Sequence, residues 1–149
     1  MMDIRKKLNG RRIFINALLL TSGHDYRNAG ISGYSRELLS LLPAFCHEAK
    51  DMLFWAFVSD PAYQPPPGIL VHRPNWSTRR PVPRILWEQT LQTHVIQKLN
   101  GDLYHGLAFA APLAAEVPTV ITVHDLSFLR YPQTFSSWQR RYLSWVTLE

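Results

Sequence analysis

Residues 13–20 read Ile-Phe-Ile-Asn-Ala-Leu-Leu-Leu, an apolar run that only Asn16 interrupts. A run of this length is typical of a β-strand covered on both faces, as strands of parallel sheets are. A polar loop over 21–30 follows, and residues 34–42 then place Tyr and Leu side chains on one helical face. A buried strand followed by an amphipathic helix is the first unit of an α/β sheet, so this stretch determines the fold class.

The remaining apolar segments alternate between strand and helix patterns. Strands are predicted over 52–58, 69–72, 102–105 and 119–123, and helices over 83–99, 108–115 and 136–146. Pro43 lies near the end of the first helix, which should stop or kink there. The alternation predicts a Rossmann-like parallel sheet with helices on both faces. Ligands of such sheets bind beyond the carboxyl ends of the strands, so the residues that follow strands are the candidates for function.

Size and composition narrow the class of protein. The 149 residues suit one domain, and 46% hydrophobic with 12% aromatic residues exclude intrinsic disorder. No apolar run approaches the ~18 residues that a membrane-spanning helix needs. Sixteen Lys and Arg against eleven Asp and Glu give a net charge of +5, and twelve of the sixteen are Arg. This balance suits an anionic ligand, an anionic lipid surface or nucleic acid, without choosing among them.

The compartment is predicted from the cysteine content and the N-terminus. Cys46 is the single cysteine, so the chain can form no internal disulfide and no cysteine-based metal site. Basic residues ahead of 13–20 imitate a secretory signal. However, the apolar run is short, contains Asn16 and lacks a small-x-small cleavage site, which favours a first strand. We expect a cytoplasmic protein, with peripheral contact to the inner face of a membrane as an option.

Glycines at the predicted loop-to-helix junction form the first candidate site. The stretch runs Gly30-Ile31-Ser32-Gly33, and glycines there let backbone amides approach a phosphate at the positive end of a helix. The spacing matches neither the dinucleotide fingerprint nor a Walker loop. The alternative is a loop without a ligand, in which Ser32 or Gly33 simply lies near the helix start.

Ionisable residues at the ends of two predicted strands form the second and third candidates. His124 and Asp125 follow the apolar segment 119–123, where an imidazole could accept a hydroxyl proton or donate to a substrate oxygen. Alternatively, His124 packs into the loop and Asp125 caps a turn. His105 ends the preceding strand, and a lone histidine there is more often structural. The histidines show no metal-ligand spacing, so no metal site is predicted.

Arginine and tryptophan residues also cluster in two segments, 76–84 and 138–142. These segments could meet anionic lipid or single-stranded nucleic acid, although most such segments are simply solvated. The arginines concerned are Arg79, Arg80, Arg84, Arg140 and Arg141. Glu88 is a candidate only for a structural hydrogen bond.

Taken in order, five segments resemble the N-terminal half of the GT-B glycosyltransferases of group 1, also called family 4. The segments are Arg12-Ile-Phe-Ile-Asn16, Gly30-Ile-Ser-Gly-Tyr-Ser-Arg-Glu-Leu-Leu39, Ile85-Leu-Trp-Glu-Gln89, Gly101-Asp-Leu-Tyr-His105 and Pro118-Thr-Val-Ile-Thr-Val-His-Asp-Leu-Ser-Phe128. The resemblance covers nearly the whole chain, and the combination of segments is more specific than any one of them.

The resemblance implies a retaining, metal-independent enzyme that transfers a sugar from a nucleotide-sugar to a glycan or lipid-linked acceptor, without a cofactor. Residues 1–147 would form its acceptor-side domain. By this likeness Gly30, Ile31, Ser32 and Gly33 lie at the donor diphosphate or sugar, and His124 faces the transferred sugar. Asp125 is grouped with His124 as a catalytic candidate, and His105, at a neighbouring strand end, is expected to line the same crevice and bind substrate.

The family's paired glutamates belong to a C-terminal donor domain, and no such pair occurs here. The resemblance therefore implies a truncated domain that is inactive alone, and Leu148-Glu149 resembles residues left by an expression vector. The competing hypothesis is a non-catalytic α/β module that binds anionic lipid through the arginines, with nucleic acid less favoured. A nicotinamide-dependent enzyme is disfavoured because the dinucleotide glycine spacing is absent.

Overall fold

The computed structural model describes residues 10–23, 29–48 and 52–148. Five strands in these residues form one all-parallel sheet in the order β3-β2-β1-β4-β5. The strands are β1 (Arg11–Asn16), β2 (Met52–Phe57), β3 (Ile69–His72), β4 (Leu103–Gly106) and β5 (Thr119–Ile121). The fold is therefore α/β and Rossmann-like, as the alternation of apolar segments predicts.

Five α-helices accompany the sheet in the described residues. They are α1 (Ala29–Glu48), α2 (Pro81–Trp87), α3 (Thr93–Lys98), α4 (Ser127–Arg130) and α5 (Ser137–Leu148). A π-helical segment, Glu88–Gln92, joins α2 to α3 without a break, and a 3₁₀ turn, Pro132–Thr134, precedes α5. Helix α4 and the 3₁₀ turn were not predicted from the sequence.

Alternate residues of the central strand β1 supply the two cores. Ile15 packs on the face that α1 covers, together with Leu39. Phe14 packs on the opposite face, with Trp87 and Ile96 from α2 and α3. Each such buried side chain stabilises the fold by about 1.5–3 kcal/mol. Helices thus cover both faces of the sheet, as expected.

The segment 17–33 differs from its prediction. Strand β1 ends at Asn16. Ala17, Leu18 and Leu20 stay buried while the chain turns beyond the end of the strand, where the N–H of Leu20 donates to the carbonyl of Ala17. Helix α1 begins at Ala29, so Gly30–Gly33 lie inside the helix and not in a loop. The helix also continues past Pro43 to Glu48 and does not stop there.

The prediction of a helix over 108–115 is wrong, because these residues form an irregular loop. Gly106 lies so close to the carbonyl oxygen of Ala110 that a Cβ could not fit between them, and the chain turns tightly after β4. The side chain of Gln89 serves the backbone of this loop, donating to the carbonyl of Ala111 (3.0 Å) and accepting from the N–H of Leu113 (3.0 Å). A side-chain amide therefore replaces the helical hydrogen bonds that the apolar composition suggested.

Strand β5 is less buried than its apolar sequence predicts. It spans three residues at the edge of the described sheet, and Val120 is 47% exposed. The prediction assumed cover on both faces, and an apolar composition cannot tell an edge strand from a central one. None of the helices in the described residues combines the length and the apolar character needed to cross a membrane.

Candidate functional site

His124 lies three residues beyond β5, at the edge of the sheet where the carboxyl ends of the strands meet. Its Nε2 donates to the carbonyl oxygen of Leu107, 2.7 Å away, and therefore carries a proton. Its ring makes edge contacts with Tyr34 of α1 (centroids 5.1 Å apart) and with Phe109 (5.8 Å). Segments that follow β1, β4 and β5 thus meet at one imidazole, whose Nδ1 is an acceptor when the ring is neutral.

Phe109 has a strained backbone. Its φ is +53°, a left-handed conformation that costs a bulky residue about 1–3 kcal/mol. The N–H of Phe109 donates to the carbonyl of Thr122 (3.1 Å), and its ring lies between His124 and Phe128. Strain of this kind is concentrated at functional sites, and here it holds an aromatic ring against the imidazole.

Asp125 lies beside His124 but serves the local turn. Its Oδ1 accepts a hydrogen bond from the N–H of Ser127 (2.8 Å) at the start of α4. This backbone hydrogen bond lowers the pKa of the exposed Asp125 carboxyl. The structure therefore gives Asp125 the turn-capping contact that the sequence offered as the alternative to catalysis.

His105 occupies β4 and is held separately from His124. Its Nε2 pairs with the hydroxyl of Thr122 (2.9 Å), and burial lowers the pKa of the half-buried ring. Because Cα of His105 is in register with Ile15, its side chain lies on the α1 face of the sheet. Thr122 thus contacts both sites: its hydroxyl pairs with His105, and its carbonyl accepts from Phe109.

The four residues Gly30–Gly33 occupy the first turns of α1. Ser32 is buried, and its hydroxyl accepts from the N–H of Thr21 (3.0 Å) and donates to the Thr21 carbonyl (3.2 Å). A Cβ placed on Gly30 or Gly33 would meet no atom within 4 Å. Packing within the described residues therefore does not require either glycine, although each weakens the helix relative to alanine.

A partly open cavity of about 70 Å³, the inner cavity, lies between the end of β1, the start of α1, the loop after β4 and helix α5. Ile31 contributes to its apolar wall. Its polar lining residues are Asn16, Ser35, Arg84, Glu88 and Tyr142.

A larger groove of about 580 Å³, the outer groove, lies next to the inner cavity. Leu18, Leu19 and Arg84 line both spaces. The polar residues of the outer groove are Thr21, Ser59, Asp60, Thr78, Arg79 and Arg84. Hydrogen bonds from the backbone N–H groups of Ser22 and Ala62 lower the pKa of Asp60, so its carboxyl is ionised at neutral pH.

Glu88 is the site residue that the sequence did not identify. It is only 7% exposed, and its Oε1 accepts a hydrogen bond from Nδ2 of Asn16 (3.0 Å), with Nε of Arg84 at 4.0 Å. Burial raises the pKa of Glu88, and Asn16 and Arg84 partly oppose this. The structural hydrogen bond that we predicted for Glu88 is present, but the carboxyl also lines the inner cavity.

No local sequence signal identifies Glu88 as a site residue, because its burial beside the core residue Trp87 is a property of the folded chain. The π-helical segment begins at Glu88, and π-helical turns often mark functional sites. Tyr142 from α5 lines the same cavity, and its buried hydroxyl has no hydrogen-bond partner among the described residues.

The arginines that the sequence grouped as one surface separate in the structure. Arg79 and Arg80 are exposed, whereas Arg84 is half-buried between the inner cavity and the outer groove. Arg140 and Arg141 are exposed on α5. They border a third groove of about 480 Å³ whose apolar lining residues are Phe128, Leu129, Pro132 and Trp145.

Within the residues that the structure describes, no group of three or more His, Cys, Asp or Glu side chains is arranged to hold a metal ion. Comparisons with models of known families, with curated proteins and with solved structures find no match for the chain.

Proposed function

We propose that this chain is the acceptor-side domain of a retaining, metal-independent glycosyltransferase. In this proposal the enzyme moves a sugar from a nucleotide-sugar to a glycan or lipid-linked acceptor. One observation carries the proposal: residues from four of the five segments that resemble the family lie far apart in sequence, yet they lie around one crevice. Asn16, Ile31 and Glu88 line the inner cavity, and Tyr34 contacts His124 beside it.

His124 is the residue placed against the transferred sugar. Its Nε2 is committed to the Leu107 carbonyl, so the ring is oriented before any ligand arrives. The Nδ1 atom of the neutral ring can then accept a hydrogen bond from a sugar hydroxyl. A preoriented hydrogen-bonding group of this kind lowers a barrier without the cost of reorganisation.

The open space at Gly30 and Gly33 supports approach of the donor. The two glycines leave that side of the first turns of α1 free of Cβ atoms. The first turn of a helix such as α1 carries backbone N–H groups that have no partner within the helix, together with the positive end of the helix dipole. A diphosphate is the part of a nucleotide-sugar that such a surface favours.

The outer groove supports binding of an acceptor. Its volume, about 580 Å³, falls within the range of about 300–1,000 Å³ that is typical of ligand sites. It opens beside β1 and β2, so an acceptor there would approach the crevice from the side opposite β5.

The decisive experiment follows the reading frame downstream of codon 147 in the source gene and assays the encoded protein with nucleotide-sugars. We expect a second α/β domain with two glutamates separated by seven residues, and transfer activity that the present chain lacks. A natural stop at that point, or a longer protein that transfers no sugar, would contradict the proposal.

A second candidate function, docking on an anionic membrane, is favoured by the surface of α5. Arg140 and Arg141 lie beside Trp145, which is 51% exposed, and Trp138 is exposed on the same helix. Tryptophan and arginine together suit the interface of an anionic bilayer. Binding to anionic vesicles that falls steeply with salt would support this function, and binding that is insensitive to salt would exclude it.

A further inference from the structure

The polar lining of the inner cavity is organised around the end of β1. Asn16 is the last residue of that strand, and its Oδ1 accepts from the N–H of Leu18 (3.1 Å). This contact orients the side-chain amide, so that Nδ2 points at Oε1 of Glu88 (3.0 Å). The carboxyl of Glu88 is thus held by a side chain that is itself fixed by the backbone, and its position does not depend on a ligand.

Charges of both signs line the two spaces. Arg79, Arg84 and Asp60 line the outer groove, and Arg84 and Glu88 line the inner cavity. Arg36 and Arg73 lie close by and donate to the backbone carbonyls of Thr21 and Asp60. A phosphate here would meet two carboxyl groups as well as guanidinium groups, and the carboxyls would oppose its binding. A neutral ligand with several hydroxyl groups avoids this repulsion and can both donate to the carboxyls and accept from the arginines.

The sizes of the two spaces suit different parts of such a ligand. The inner cavity, at about 70 Å³, is too small for a whole sugar ring, whereas the outer groove, at about 580 Å³, is large enough. Arg84 lines both, so a ring in the groove would place one edge beside Arg84. Tyr142, whose hydroxyl lies near the side chain of Gln89, adds a further polar group to the cavity lining.

From this arrangement we infer that Glu88, Asn16 and Arg84 form the polar end of a binding site for a neutral carbohydrate. The sugar ring lies in the outer groove, and one hydroxyl-bearing edge enters the inner cavity, where a hydroxyl donates to Glu88. The choice of ligand class rests on the proposed function, in which this ligand is the acceptor. Glu88 is then a residue that positions the acceptor, and the site selects a neutral sugar rather than a phosphate group.

The test measures binding of a panel of methyl glycosides to the described chain by NMR, from shifts of the backbone amides around 18–21, 59–60 and 88. Glu88→Gln keeps the shape of the side chain and an oxygen for Asn16, but removes the charge. Glu116→Gln makes the same change at an exposed position and is the matched control. We expect at least one glycoside to bind equally well to the original chain and to the control. The same glycoside should bind at least about tenfold more weakly to Glu88→Gln, because hydrogen bonds to charged groups are strong.

Three outcomes would overturn the inference. One is equal binding of the glycosides to Glu88→Gln and to the control. Another is no binding at about 100 mM, a concentration that saturates a site with a Kd of about 1 mM. The third is pyrophosphate displacing the sugar from these amides. Melting temperatures of the original chain, Glu88→Gln and Glu116→Gln show whether Glu88→Gln is folded. If it is not folded, Arg79→Gln, in the outer groove, is tested instead, and we expect the same tenfold weaker binding.

The transferase assay on the longer protein separates the two proposals. Transfer activity together with unchanged glycoside binding in Glu88→Gln would reject the role of Glu88 and leave the proposed function intact. Glycoside binding that depends on Glu88, without any transfer, would reject the proposed function and leave a carbohydrate-binding site.

Discussion

His124 is held by one hydrogen bond to Leu107 and by the rings of Tyr34 and Phe109, yet its side chain remains exposed. If it acts on the transferred sugar, His124→Ala should lower kcat of the longer enzyme by about 10²–10³-fold, as loss of one preoriented hydrogen bond does at well-studied oxyanion sites. The same change should cost the fold only about 1 kcal/mol. The measurements are kcat and melting temperature.

His94→Ala is the control for this prediction, because His94 is an exposed histidine on α3. It should change neither quantity. A result in which His124→Ala keeps its activity within a few-fold while the melting temperature falls sharply would show that His124 is a packing residue.

Gly33 lies in the interior of α1 without any packing need for glycine. Gly33→Ala should therefore stabilise the chain by about 0.5–1 kcal/mol, since alanine is the better helix former. It should nevertheless raise KM for the nucleotide-sugar in the longer enzyme, because the added methyl group fills the space through which the donor approaches. Urea unfolding and steady-state kinetics measure the two effects.

Glu37→Ala, an exposed change on the same helix, is the control and should alter neither stability nor KM appreciably. A Gly33→Ala enzyme that is more stable and keeps its KM would remove the donor-binding role of this turn.

At the scale of elements, helix α1 contains Pro43 in its interior, where a proline is unfavourable. Pro43 has no N–H to donate, yet α1 continues to Glu48. A proline inside a helix costs about 3 kcal/mol relative to alanine, and its rigidity in the unfolded chain returns about 0.4–1 kcal/mol. Pro43→Ala should therefore stabilise the fold by about 2 kcal/mol in urea unfolding, with Ser40→Ala as an exposed control. A loss of stability would mean that the packing around Pro43, which lies near Gly68, matters more than the helix.

The sequence predicted the elements whose own composition decides their structure. Strands β2 and β3 are rich in aromatic and branched residues, and their positions agree closely with the predictions. The start of α1 was missed because glycines argue locally for a loop, whereas the buried hydroxyl of Ser32 and its two contacts with Thr21 hold the first turns in place. Those contacts join distant residues, so no local pattern reveals them.

The prediction errors around the site also arise because contacts between residues far apart in sequence decide the local structure. The apolar stretch 108–115 has a helical composition, but Gln89 satisfies its backbone and Gly106 makes it turn. Glu88 and Asn16 are separated by 72 residues, and only the folded sheet brings them within 3.0 Å. Positions at strand ends could be predicted from topology, as for His124, but the partners that give each residue its chemistry could not.

For the whole molecule, stability should depend on pH through carboxyl groups whose pKa values shift in opposite directions on folding. The pKa of Asp60 and of Asp125 is lowered in the folded state, so the stability they contribute is present above 3.8 and is lost as the pH falls through their folded pKa values. The pKa of Glu88 is raised above 4.5 by burial, so the folded chain holds this proton more tightly than the unfolded chain does. The stability that Glu88 contributes is therefore present below 4.5 and is lost as the pH rises through its folded pKa.

A comparison of Glu88→Gln with the original chain isolates this contribution, because Asp60 and Asp125 titrate in both. The glutamine does not ionise, so the free energy of unfolding of Glu88→Gln relative to the original chain should rise between about pH 4 and pH 7. Urea unfolding across this range measures the difference, and Glu116→Gln, the same change at an exposed position, is measured beside it as the control. A flat or falling difference for Glu88→Gln would mean that the carboxyl of Glu88 ionises at least as easily in the folded chain as in water, and its burial would then not penalise the charged form.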